Sequence, residues 1–174
     1  IRLELFEDSI EYMYRFDPLN GEEIEKLNQV IVYPAKHFIT DQNNIKRASD
    51  DIRDELKERI NYYKKEEKPL EAQRIKQRTL YDLEMMMELG YCSGIENYSR
   101  HIDGRKEGER PCTLLDFFSE DYLMFIDESH VSIPQVNAMY KGDRSRKMTL
   151  VEHGFRLPSA LDNRPMKFSE FEQK

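Results

Sequence analysis

The feature that most constrains the fold is a short apolar run, residues 123–126 (Leu-Met-Phe-Ile), followed at once by Asp-Glu-Ser-His at 127–130. Four consecutive apolar residues that end in two carboxylates are typical of a buried parallel strand in an α/β sheet. Such sheets bind ligands at the carboxyl ends of their strands. The pattern therefore predicts an α/β fold with Asp127 and Glu128 at a ligand-binding edge.

Two adjacent carboxylates at such an edge have the chemistry of nucleotide hydrolysis. Asp127 can hold a Mg²⁺ that bridges the β- and γ-phosphates of ATP, and Glu128 can orient and deprotonate the attacking water. A strand that ends in solvated acids is the alternative, because a bare Asp-Glu-x-His pattern has low specificity. Residues 159–161, near Arg156 and Arg164, resemble a nucleotide-sensing loop, but surface ion pairs would explain the two arginines equally well.

Charge and hydropathy restrict the classes of function. The 174 residues carry a net charge of −7, which argues against a protein that coats nucleic acid through its overall field. A local basic patch is present at Lys141, Arg144, Arg146 and Lys147. The chain has no apolar run of membrane-spanning length and no signal segment, so we expect a cytoplasmic protein without a membrane partner.

The part before residue 112 predicts a β-meander followed by a helical hairpin. Alternating polar and apolar residues from 2 to 33 predict the meander, with a last strand over residues 30–33. Apolar residues at spacings of three and four predict two long antiparallel helices, the first capped by Thr40 or Asp41. The second helix is expected to begin at Pro69 and to end at Gly90, and its apolar positions are Ala72, Ile75, Leu80, Leu83 and Met87.

Shorter elements are expected further along. A short helix is predicted over residues 95–101, and Thr113 to Asp116 reads as a capping box. After the acidic tetrad, one helix is predicted to open near Pro134 and another to run from Asp143 to a stop at Gly154.

Aromatic residues interleaved with polar ones could bind single-stranded nucleic acid. Bases stack on aromatic rings, while arginine and asparagine contact the backbone. Packing of these rings around the helical hairpin is about equally compatible with the pattern. The residues concerned are Tyr81, Tyr91, Tyr98, Arg78, Asn97 and Arg100.

Five longer segments carry a resemblance to a known family. They cover residues 81–86 (YDLEMM), 90–101 (GYCSGIENYSRH), 127–131 (DESHV), 139–144 (MYKGDR) and 153–165 (HGFRLPSALDNRP). Runs of this length are far more specific than the tetrad alone. On these segments the chain is identified as a member of the UvrB family, the damage-verifying component of the excinuclease ABC in bacterial nucleotide excision repair.

The resemblance implies a helicase-like ATPase with two RecA-like P-loop motor domains and inserted domains. Such a protein uses ATP and Mg²⁺, receives damaged DNA from its excinuclease partner UvrA and recruits the nuclease UvrC. Residues 1–36 resemble the end of the β-rich inserted domain that docks on UvrA, and residues 37–112 the helical inserted domain that borders the DNA path. Residues 113–174 resemble the later part of the first motor domain, which is built on a parallel sheet.

The resemblance also implies roles for individual residues. Asp127, Glu128 and His130 would be catalytic, with Asp127 holding Mg²⁺ through ATP, and Arg2 and Glu4 would contact UvrA. The implied DNA contacts are Arg78, Tyr91, Asn97, Gln135 and Arg156.

One departure from the family bears on activity. The chain contains no G-x-x-x-x-G-K-[ST] motif, so the loop and lysine that hold nucleotide phosphates are missing. We therefore expect an internal fragment that does not hydrolyse ATP alone. Two other functions stay open: a docking module for UvrA, and a generic Asp-Glu-x-His RNA helicase, which the longer segments disfavour.

Overall fold

The computed structural model describes residues 1–32 and 42–174, with Gln42 described by its backbone alone. They belong to two compact units, Ile1–His37 and Phe38–Lys174. The expected domain boundary at 36/37 and the expected helix cap at Thr40 or Asp41 lie outside the described residues. In the described part of the chain, no helix combines the length and apolar character needed to cross a membrane.

The first unit is the predicted β-meander, a three-stranded antiparallel sheet. Its strands, in spatial and chain order, are β1 (Arg2–Phe6), β2 (Ser9–Phe16) and β3 (Glu23–Lys26). The prediction of a last strand over residues 30–33 is wrong, since residues 30–32 are unpaired and Tyr33 lies outside the described part. A tight turn explains the difference: Gly21 N–H donates to the Asp17 carbonyl at 2.8 Å, so the chain reverses early and the residues after the turn pair with β2.

The second unit contains the predicted hairpin of two long helices. Helix α1 spans Gln42–Lys65, and α2 spans Pro69–Leu89 and ends at Gly90 with a φ of +71°, as expected for a helix stop. The apolar stripe of α1 is confirmed, with Ile52 and Tyr63 completely buried. In α2 the buried stripe differs from the prediction: Leu80 and Met87 are exposed, and the buried positions include the polar Thr79 and Asp82.

The remaining elements are mostly short. They are a 3₁₀ helix (Ile95–Tyr98), α3 (Ser99–Asp103), a 3₁₀ helix (Leu114–Phe117), α4 (Ser129–Glu152), a 3₁₀ helix (Pro158–Asp162) and α5 (Phe168–Phe171). The helical prediction for residues 95–101 and the capping box of Thr113 and Asp116 are confirmed.

Helix α4 replaces the two helices predicted after the tetrad. Pro134 lies in its second turn and removes one backbone hydrogen bond, while Gly142 costs only about 1 kcal/mol relative to alanine. Lys147 and Val151 are buried near the carboxyl end of the helix. Their packing outweighs these local penalties, so the helix continues through both positions.

The predicted buried parallel strand is absent from the described residues. Residues 123–126 have no strand partner, and Leu123 and Phe125 are 78% and 86% exposed. The sheet that the described residues form is antiparallel and belongs to the first unit. A parallel strand is stable when neighbouring strands bond to it and helices cover it, and the described residues offer this segment neither.

The hairpin captures the carboxyl end of α4. The Tyr63 hydroxyl donates a hydrogen bond to the Val151 carbonyl, and Arg59 donates to the same oxygen at 3.2 Å. Arg74 donates to the His153 carbonyl. The last carbonyls of a helix lack partners within it, and positive charge is favourable at this end of the helix dipole. The three side chains therefore fasten α4 to α1 and α2.

A glycine completes this junction. Gly154 has a φ of +72°, and a Cβ placed on it would lie 2.6 Å from the backbone oxygen of Glu71. Real Cβ atoms do not approach a backbone oxygen this closely, so the chain after α4 can lie against the start of α2 because residue 154 has no side chain.

We predict that Gly154→Ala destabilises the helical unit more than Gly90→Ala. Gly90 has almost the same φ, +71°, but nothing among the described residues lies within 4 Å of an added Cβ. Both variants should lose about 1–2 kcal/mol from the left-handed backbone, and Gly154→Ala a further 1–3 kcal/mol or so from overpacking. Urea unfolding followed by far-ultraviolet circular dichroism measures the difference, and equal losses would contradict the close contact.

Candidate nucleic-acid interface and acidic motif

A cleft of about 390 Å³ opens in the second unit between α4, the 3₁₀ helix Ile95–Tyr98 and the chain after Phe155. Two predicted DNA contacts, Asn97 and Arg156, line it together, although they are distant in sequence. Arg146 and Lys147 from the predicted basic patch also line it. The remaining lining residues are Glu96, Asp143, Leu150, Asn163, Arg164 and Pro165.

Gly94 lies beside both Asn97 and Arg156. The Asn97 side-chain amide donates to the Gly94 carbonyl at 2.8 Å. A Cβ on Gly94 would lie 3.1 Å from Asn97 Nδ2 and 3.6 Å from a terminal nitrogen of Arg156. Since Gly94 also has a φ of +84°, this position combines a backbone conformation that favours glycine with a crowded surrounding.

Arg156 keeps most of its hydrogen-bonding capacity. Its guanidinium donates to the Phe155 carbonyl at 3.0 Å, and it forms no ion pair with any residue of the described ranges. A half-buried guanidinium with free donors can bind a phosphate by two parallel hydrogen bonds.

Arg78 lies outside the cleft and supports the chain that leads to it. Its guanidinium donates to Asp82 Oδ2 and to the Ser93 carbonyl, both at 2.9 Å. Burial alone would lower the pKa of Arg78, but the hydrogen bond and charge of Asp82 raise it overall. Tyr98 donates to the same Asp82 oxygen at 2.7 Å, and burial is the main cause of the rise in its pKa. Tyr98 is therefore a core residue and does not stack on bases.

The other two predicted DNA contacts are exposed and separate from the cleft. Tyr91 is 57% exposed and directly follows the glycine that ends α2. Gln135 is exposed on α4, at about 12 Å along the helix axis from Asp143. The structure thus brings together two of the five predicted DNA contacts.

The acidic tetrad lies at the amino-terminal end of α4, with Glu128 in the position directly before the helix and Ser129 and His130 in its first turn. Glu128 has a φ of +48°, and its N–H donates to Asp127 Oδ1 at 2.9 Å. His130 Nδ1 lies 3.4 Å from Glu128 Oε2, and both side chains are at least 70% exposed. The three predicted catalytic side chains are adjacent and open to solvent, and the described residues contain no group of three or more side chains suited to hold a metal ion.

In the segment 159–161, Ser159 and Ala160 are buried and Leu161 is partly buried, so two of its three side chains are used in packing. Ser159 is 0% exposed, and its N–H donates to Glu55 Oε1 at 2.7 Å. The second Glu55 oxygen lies 2.6 Å from His101 Nε2. Burial alone would raise the pKa of Glu55, but the hydrogen bonds from His101 and Ser159 lower it overall. This segment is thus a structural tie to α1 and α3.

Two further ion pairs hold the chain after α4. Arg100 bonds Asp162 at 2.8 Å, and Arg164 forms a two-point ion pair with Glu170, with both distances 2.8 Å. The pair with Arg164 is the main reason that the pKa of Glu170 falls to about 2. Of the two interpretations of Arg164, the structure supports the ion pair. The sequence carries no signal for these contacts, since spacing alone does not identify partners that are far apart in the chain.

In the first unit, Arg2 and Glu4 lie side by side. Arg2 donates to the Tyr14 hydroxyl at 3.3 Å, and that hydroxyl donates to Glu4 Oε1 at 2.7 Å. The Arg2 guanidinium also lies 4.5 Å from the centre of the Phe16 ring. The two predicted partner-binding residues therefore share one exposed face of the sheet.

Two family models match the chain, and both describe domains of one class of protein. The UvrB interaction domain matches residues 1–38, and the UvrB third helical domain matches residues 43–104. The first range covers the antiparallel sheet, and the second covers α1 to α3. The class is that of multidomain proteins that join an interaction domain to a helical domain of this type.

Curated relatives agree over almost the whole chain. UvrABC system protein B of Thermosipho africanus is 59% identical over 174 residues, which is 100% of this chain and 26% of the relative. That of Chloroflexus aggregans is 61% identical over 173 residues (99% and 26%), and that of Nitratidesulfovibrio vulgaris is 58% identical over 171 residues (98% and 25%). The chain belongs to the UvrB family. It spans about a quarter of the length of the curated relatives it matches.

Proposed function

We propose that this chain is the part of a UvrB protein that contacts damaged DNA in nucleotide excision repair. In this role the protein receives DNA from UvrA in the cytoplasm, verifies the damage and recruits the nuclease UvrC. The observation that carries the proposal is that Asn97 and Arg156, from distant parts of the sequence, converge on one cleft.

The charge of the cleft supports a nucleic-acid ligand. Four basic side chains and two acidic ones line it, in a chain whose net charge is −7. Local positive charge of this kind attracts phosphates and makes the affinity fall as salt rises. Arg78 would act indirectly, because its hydrogen bond to the Ser93 carbonyl holds the chain that leads to the cleft. Tyr91 and Gln135 would contact the strand outside the cleft.

We also propose that the acidic tetrad belongs to an ATPase site of a RecA-like motor domain. Carboxylate oxygens suit Mg²⁺, and Asp127 and Glu128 are adjacent and exposed at the start of α4. Bound Mg-ATP would supply the phosphate to be cleaved, with Asp127 holding the ion and Glu128 and His130 near the attacking water. The exposed run 123–126 fits this proposal, because its free backbone groups and apolar side chains are those that a parallel sheet would pair and cover.

Arg156→Ala should weaken binding of single-stranded DNA. Loss of one phosphate contact is expected to lower the affinity about fivefold and to reduce the slope of log K against log salt by about 1. Fluorescence anisotropy with a labelled oligothymidylate measures both quantities. If both the affinity and the salt slope stayed unchanged, the proposal that the cleft binds DNA through Arg156 would be wrong.

Glu128→Gln, placed at the equivalent position of a full-length relative, should abolish ATP hydrolysis and leave nucleotide binding largely intact. The amide keeps the size of the side chain but cannot accept a proton from water. A phosphate-release assay and a nucleotide-binding titration separate the two effects. Hydrolysis at the parent rate would rule out the catalytic role. The 174-residue chain alone should show no hydrolysis.

Docking on UvrA is a second function, favoured by the contact that joins Arg2, Tyr14 and Glu4. A cation and an anion held side by side on an exposed face suit a partner with the complementary pair of charges. Docking and DNA binding are compatible in one protein, because Arg2 and Glu4 lie in the first unit and the cleft lies in the second.

The double variant Arg2→Ala, Glu4→Ala should lose capture of UvrA in a pull-down. The matched control is Arg15→Ala, Glu25→Ala, which removes an exposed ion pair of 3.5 Å from the opposite face of the same sheet. The control is expected to bind like the parent. If the Arg2, Glu4 double variant captured UvrA as well as the control does, docking through the face that carries Arg2 and Glu4 would be excluded.

A further inference from the structure

Helix α4 presents one face to the cleft. Asp143, Arg146, Lys147 and Leu150 follow the spacing of three and four residues that places side chains on the same side of a helix, and all four line the cleft. The Arg146 side chain is 69% exposed. It bonds Asp143 Oδ1 at 3.0 Å, which is its ion pair within the described part of the chain.

Lys147, unlike Arg146, is buried and directs its ammonium at partners within the protein. Its side chain is 7% exposed, and its ammonium forms an ion pair with Asp143 Oδ2 at 2.8 Å and donates a hydrogen bond to the Asn163 carbonyl. Asp143 is thus shared, with one oxygen on Arg146 and the other on Lys147. A single carboxylate balances two cations, so the group keeps a net positive charge.

The four cations of the cleft therefore divide into two pairs. Lys147 is buried and the Arg164 side chain is 9% exposed, and both are held by protein partners, Arg164 through its two bonds to Glu170. Arg146 and Arg156 each keep free donors, since a guanidinium has five N–H groups and few of theirs are used. These two arginines are the side chains that can reach a ligand without breaking the fold.

We propose that Arg146 is a phosphate ligand of the cleft and acts together with Arg156 on one DNA strand, with Asp143 holding Arg146 in position before the strand binds. This inference rests on the proposed DNA-binding function and assigns a further residue to it. No aromatic ring is among the described residues that line the cleft. The strand is therefore bound through its backbone, with little dependence on base sequence and strong dependence on salt.

The test is an anisotropy titration of labelled oligothymidylate with the full 174-residue chain. Arg146→Ala is expected to lower the affinity about fivefold and the salt slope by about 1. Arg144→Ala is the matched control, because it removes the same charge from an exposed position of the same helix that does not line the cleft. It is expected to change the affinity less than about twofold, since an exposed charge away from the site is screened by salt.

Equal losses in Arg146→Ala and Arg144→Ala would show a general effect of positive charge and would overturn the assignment of Arg146. The proposed function would survive that result if Arg156→Ala still weakened binding, and would fail if it did not. Circular dichroism checks that the variants are folded. A competition titration with ATP or inorganic phosphate, at equal phosphate concentration, tests whether the cleft prefers a DNA strand. If either competitor displaced the labelled strand, the cleft would be a general anion site and the proposal of a DNA ligand would be overturned.

Discussion

The helical unit depends on the capture of one helix end. Within α4 the buried residues are Lys147 and Val151, both near the carboxyl end, so the helix is fixed mainly there. Tyr63 supplies the central contact, because it is completely buried and its hydroxyl reaches the Val151 carbonyl. The hairpin thus adds side-chain hydrogen-bond donors to the end of α4, in place of a broad apolar interface.

A second set of contacts gives the cleft its fixed walls. Glu55 of α1 accepts a hydrogen bond from the Ser159 N–H, and Arg100 of α3 forms an ion pair with Asp162. The chain after α4 is therefore fixed to α1 and α3. Asn97 lies on the short helix directly before α3. The walls are therefore held by contacts within the protein itself. A site formed in advance loses less free energy to ordering when a strand binds.

Local patterns predicted local structure well, and the failures have a common cause. The hairpin follows from apolar spacing within each helix, and the capping box at Thr113 from two neighbouring side chains. The strand over residues 123–126 failed because pairing requires partners that the pattern itself does not contain. Asp82 was missed as a buried residue, because its burial depends on Arg78 and Tyr98. Asn97 and Arg156 could be named from the family segments, while the position of Asp143 and Arg146 on the same cleft required the structure.

Because α4 is anchored near its carboxyl end, a small rotation there would produce a larger displacement at its amino-terminal end. Its 24 residues extend about 36 Å, with the acidic tetrad at the amino-terminal end and the cleft near the anchored carboxyl end. A nucleotide at the tetrad and a strand in the cleft would lie about 20 Å apart, too far to share contacts. Among the described residues, α4 itself is the element that joins the two places. A tilt of about 5° at the anchored end would move the tetrad by about 3 Å, the scale of a hydrogen bond.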